Sequence, residues 1–109
     1  MSEPAPALPP LQQALLDPAT VEALFRDLAA CTRILSVLGR SPGAGRGGEP
    51  PSLPLEAAHA GLADGSLRSV QVRYAYDGAT WCDTLMAAPG GVRIVRIRDQ
   101  DIGASLGQG

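Results

Sequence analysis

At 109 residues the chain has room for one small hydrophobic core and not for two. Its formal charge of −2 and pI near 5.2 give it no general attraction to phosphate backbones or anionic lipid. All nine basic residues are arginine, which in a chain so rich in Ala, Gly and Pro reads as the mark of a GC-rich genome rather than as selection for guanidinium contacts.

Two cysteines, Cys31 and Cys82, lie far apart among apolar residues, too few and too separated for a disulfide framework, so both are expected as reduced packed thiols. The first residues carry no basic segment followed by an unbroken apolar run, and no stretch approaches the ~20 apolar residues that cross a bilayer. The expectation is a soluble protein of the bacterial cytoplasm, without membrane contact.

Met1 to Pro10 holds four prolines and little that could join a core, and Leu11 to Leu16 offers at most one helical turn, so residues 1–16 read as a flexible tail. Asp17-Pro18 is a helix start: the carboxylate can accept from orphan amides, and Pro in the first turn gives up no needed donor. Val21, Leu24, Phe25, Leu28, Cys31, Thr32, Leu35 and Leu38 then recur three and four apart, predicting one helix of about five turns that Gly39 stops. Ile34 and Val37 make its apolar sector wider than a stripe, as if it touched two elements or a second chain.

Residues 39–52 read as a flexible Gly/Pro-rich loop inside the domain. Gly43 to Gly48 reads as a flexible loop rather than a phosphate loop, since the pattern predicts a helix and not a strand before it and no Lys-Ser/Thr follows. A second, short helix is predicted over Pro54 to Ala63, ended by Asp64-Gly65, with Leu55, Ala58, His59 and Leu62 inward.

Ser69 to Tyr76 alternates cleanly, and Asp77-Gly78 is the preferred pair for a two-residue hairpin turn. That turn sets Tyr74 opposite Trp81, Val72 opposite Asp83 and Val70 opposite Leu85. A second turn at Pro89-Gly90 sets Leu85 opposite Ile94, Asp83 opposite Arg96 and Trp81 opposite Arg98. The fold class expected is therefore α+β: two helices packed on one face of a three-stranded antiparallel β-meander, a single domain over residues 17–98, with residues 99–109 a second flexible tail.

No constellation of residues carries recognisable chemistry. Cys82 lacks a base, since the one histidine, His59, is on the second helix, although Arg73 across the strand could favour its thiolate. Cys31, Cys82 and His59 have no zinc-like spacing, so neither metal nor cofactor is expected. Asp83 reads as a strand-end ion pair with Arg96 rather than as a catalytic acid.

What remains is the sheet face opposite the helices, where Cys82, Met86, Val95 and Ile97 form an apolar strip beside Arg73 and Arg93. A three-stranded sheet with helices on one side leaves that strip and both edges bare. These six residues are the candidate binding site of a protein-interaction or accessory module that docks through the exposed sheet face and the open edge of the third strand, the partner being another protein or a second copy of the chain. The alternative, a nucleic-acid-binding regulator with a winged-helix-like order of helices and β-hairpin, is disfavoured: a dozen loose residues separate the helices, and the arginines fall on both sheet faces.

Overall fold

The structure is a computed structural model that describes residues 13–42 and 52–98. The elements run β1 (Gln13–Leu16), α1 (Pro18–Cys31), β2 (Arg33–Arg40), α2 (Leu55–Asp64), β3 (Ser69–Tyr76), β4 (Ala79–Ala88) and β5 (Gly91–Arg98). All five strands join one antiparallel sheet in the order β1-β5-β4-β3-β2, with both helices on one face. The α+β class stands, and the three-stranded meander is corrected to a sheet of five.

The two added strands come from segments expected to be helical. Gln13–Leu16 is a short strand against Val92–Val95 rather than a helical turn. The first helix begins as expected, with Asp17 accepting from the Thr20 amide at 2.8 Å, but it ends seven residues early. The Thr32 amide and hydroxyl both donate to the Leu28 carbonyl, at 3.3 Å and 2.8 Å, while the Thr32 backbone turns extended. That double contact satisfies an orphan carbonyl and lets the chain leave the helix axis. Residues 33–40 then pair with β3, so Gly39 and Arg40 belong to a strand and not to a loop.

Within β2, Leu35 has no partner on β3: the register shifts between Ile34 and Ser36, a bulge that puts one extra residue on the edge strand. The expectations for 1–12, for most of the central loop and for 99–109 lie outside the described residues.

The remaining elements follow the sequence closely. Helix α2 ends at Gly65, whose φ of 86° is the left-handed conformation that closes a helix. Asp77 and Gly78 both take positive φ, 52° and 80°, as a twist-matched two-residue hairpin requires. The pairs Tyr74–Trp81, Val72–Asp83, Val70–Leu85, Leu85–Ile94, Asp83–Arg96 and Trp81–Arg98 all occur.

One core fills the space between helices and sheet. Val21, Leu24, Phe25 and Leu28 of α1 and Ala58 and Leu62 of α2 lie on Val37, Val70, Val72, Tyr74, Leu85, Val92 and Ile94 of the sheet. Ile34 and Val37, the residues that widened the apolar sector, face this core from β2. Gly91 is fixed by packing as much as by φ, for a Cβ there would strike the carbonyl oxygen of Leu16 where the chain passes from β1 into α1.

Candidate functional site

The pairing of strands divides the chemistry-bearing residues between two surfaces. Side chains at paired positions share a face, so the helix-covered face receives Tyr74, Trp81, Asp83, Arg96 and Arg98, and the open face receives Arg73, Cys82, Met86, Arg93, Val95 and Ile97.

On the covered face Asp83 sits at the centre of a buried polar network. Arg96 donates to it from Nε at 2.8 Å and from a terminal nitrogen at 2.7 Å, and the Tyr74 hydroxyl donates to the same Oδ1 at 2.9 Å. Asp83 and Tyr74 are wholly buried and Arg96 is nearly so. Burial pushes the Tyr74 hydroxyl far above the ordinary phenolic range, and the adjacent Asp83 charge pushes it further. Burial alone would lower the Arg96 pKa, but its hydrogen bonds and charge pairing with Asp83 more than offset this and hold it above its ordinary value.

Every carboxylate oxygen of Asp83 is thus engaged by a neighbour and shielded from solvent. Such a group fixes strand register and core geometry, and its burial keeps it out of reach of a substrate. Two rows along, the Arg98 guanidinium lies 5.7 Å from the Trp81 ring centroid, a cation–π contact that covers the end of the core.

The helices form a shallow cleft of about 310 Å³ bounded by Glu22, Phe25, Arg26, Leu55, Glu56 and His59. His59 is stacked flat on Phe25, with ring centroids 4.7 Å apart. Its ring serves α1–α2 packing. Cys31 is exposed at the end of α1 and Cys82 is buried on the opposite side of the sheet, so the structure does not bring Cys31, Cys82 and His59 together. Among the described residues no three His, Cys, Asp or Glu side chains gather as metal ligands, and no helix is long and apolar enough to cross a membrane.

The open face is built in cross-strand rows. Leu15, Arg93, Met86, Ser69 and Arg40 form one row from β1 to β2; Gln13, Val95, Thr84, Gln71 and Leu38 form the next. Ile97, Cys82, Arg73 and Ser36 follow, then Thr80, Ala75 and Arg33. All six residues expected on this face are there. Cys82 is the floor of the strip, only 5% exposed, whereas Leu15 at 54% and Ile97 at 40% project from it.

β1 and β2 add Leu15, Leu38, Arg33 and Arg40, which were not expected because their strands were not. The signal available was the over-wide apolar sector at Ile34 and Val37, since β-branched residues flanked by Arg33 and Arg40 suit a strand better than a sixth helical turn.

Those strands also change the edges. Both edges of the expected meander are occupied: β1 pairs with β5 and β2 with β3. The outer edge of β2 is itself partly capped, by the bridge from Leu38 to Ser52 and by the Leu53 amide donating to the Val37 carbonyl at 3.0 Å. With the Leu35 bulge beside that cap, β2 is a poor template for another strand. Comparison with known proteins returned no family model, no curated protein and no solved structure that matches the chain.

Proposed function

We propose that the protein is a small docking module that takes a protein partner on the open face of its sheet. The observation that carries this reading is the one-sided layering. Two helices cover one face, and the other carries Leu15, Leu38, Met86, Val95 and Ile97 with no described element over them. Contiguous apolar surface rimmed by polar groups is what protein interfaces are made of. Docking goes through side chains of the face and not through strand addition at β5 or β3, whose edges are already paired.

The reading is not enzymatic: Asp83, the one buried carboxylate among the described residues, is held by Arg96 and Tyr74. Cys31, exposed, and Cys82, buried, are not joined in a disulfide, which fits a reducing compartment such as the cytoplasm. Replacing Val95, half-buried in the middle of the face, by Glu tests the proposal. The variant is expected to keep its unfolding midpoint within a few degrees and to lose its partner; unfolding, or undiminished partner capture, overturns the reading.

A further inference from the structure

Charge is sorted across the molecule as well as apolar surface. The helical side carries Asp17, Glu22, Asp27, Glu56 and Asp64, with Arg26 lying 3.9 Å from Glu22 as its described ion pair. On the open face stand Arg33, Arg40, Arg73 and Arg93, and among the described residues not one carboxylate. Arg33, Arg40 and Arg93 take part in no ion pair among the described residues. The face is therefore apolar along β5 and β4 at Met86, Val95 and Ile97, with Arg93 at one end of that strip, and cationic along its β2 border, at Arg33 and Arg40.

Resting on the docking reading above, we propose that the occupant is an acidic amphipathic helix of another protein, lying along β5 and β4 with its carboxylates turned toward β2. The strands of the face already satisfy one another, so an extended segment laid on it would desolvate its own amides without partners; a helix brings its hydrogen bonds with it. A helix about 10 Å across spans roughly two strand spacings of ~4.8 Å, the width of the apolar strip; β2 lies two spacings beyond β4, about 10 Å, so Arg33 and Arg40 reach toward the helix across β3.

Length follows from the register. Arg40 stands in the row of Met86 and Arg33 in the row of Thr80. With Leu35 bulged out, six strand residues separate the two rows, ~20 Å or about 14 residues of helix.

Other occupants fit less well. A second copy meeting this face with its own would set arginines against arginines with no described carboxylate to answer them. A single-stranded nucleic acid wants aromatic platforms, yet Phe25, Tyr74, Tyr76 and Trp81 all lie on the helical side.

The test uses the full chain and two labelled 16-residue helical peptides that share a leucine stripe, one flanked by glutamates and the other by lysines at the same positions. Fluorescence anisotropy at low salt is expected to show the glutamate peptide binding about tenfold tighter, the product of two or three surface charge contacts worth a few-fold each. Raising the salt to about 0.5 M should erase most of that preference. Arg40→Glu, at a half-buried position, and Arg93→Glu, at an exposed one, should each shift the preference toward the lysine peptide, and Val95→Glu should abolish binding of both.

Equal binding of the two peptides, lost in Val95→Glu, overturns the acidic partner and leaves the docking face standing. Binding of both that survives Val95→Glu, or binding of neither, overturns the two proposals together. Displacement of the glutamate peptide by oligo-dT assigns the face to nucleic acid instead, and a dimer by light scattering that Val95→Glu dissociates assigns it to a second copy.

Discussion

Arg96 holds Asp83 in a two-pronged ion pair, Nε to Oδ1 at 2.8 Å and a terminal nitrogen to Oδ2 at 2.7 Å, across the β4–β5 ladder and beneath the helices. Two charges in a core are costly alone and tolerable together, so the pair is a register device more than a source of stability. Replacing Asp83 by Leu strands the guanidinium and is expected to cost about 3–5 kcal/mol in urea unfolding. The double variant Asp83→Leu/Arg96→Met should recover most of that loss. Tyr74→Phe, which removes one hydrogen bond from Asp83, should cost only about 1 kcal/mol.

Tyr74 also fixes the alkaline behaviour of the fold. Its folded-state pKa is raised above the value near 10 that it has when unfolded. The unfolded chain therefore loses this proton first. The contribution is fully present below pH 10 and declines above it, by up to ~1.4 kcal/mol per pH unit. Urea melts at pH 9 and pH 11 should show the decline in the native chain and less of it in Tyr74→Phe.

At the acid end the sign reverses. Asp17 has its pKa lowered by the hydrogen bonds from Thr20, and Asp64 by those from Ser66. Each contributes stability that is present above its unfolded pKa near 3.8 and lost as pH falls through the lower folded value. Thermal scans from pH 5 to pH 2 should show Asp17→Ala melting earlier than the native chain at pH 5, with the difference shrinking toward pH 2.

The junction of β1 with α1 depends on Gly91. Its φ of 152° and the Leu16 carbonyl over its α-carbon leave no room for a methyl group. Gly91→Ala should destabilise by about 1–3 kcal/mol, with hydrogen exchange accelerating first in the amides of β1 and the neighbouring part of β5. Gly61, buried inside α2, sits against Leu67 from its Cδ1 back to its Cβ, and the Leu67 amide is tied to the Gly61 carbonyl, so Gly61→Ala should also destabilise, the gain in helix propensity offsetting only part of the clash.

How the sequence announces these elements depends on where each one carries its signal. Asp77-Gly78 fixes the first hairpin by local backbone chemistry, and with it the Tyr74–Trp81 and Val72–Asp83 pairs; the Pro89-Gly90 turn then carries Asp83 to Arg96. β2 was hidden because Leu35 and Leu38 continue the three-and-four spacing of α1 past its true end. The bulge at Leu35 breaks the alternation that would have marked a strand. β1 is four residues, too short for any period to show, and it is a strand only because Val92–Val95 offers it an edge. The six residues expected on the open face are legible through hairpin register alone, whereas Arg33, Leu38 and Arg40 join them through a strand marked only by the over-wide apolar sector, and Leu15 through a pairing that local sequence does not encode.

The central claim, that the open face is a docking surface, is tested most directly by placing a photo-activatable residue at Ile97 on that face and, separately, at Ala29 on the exposed side of α1, and irradiating the protein in its own cells. The account predicts one discrete protein adduct from Ile97 that Val95→Glu removes, and none of that size from Ala29. Adducts of equal yield from both positions, or an Ile97 adduct indifferent to Val95→Glu, would contradict it.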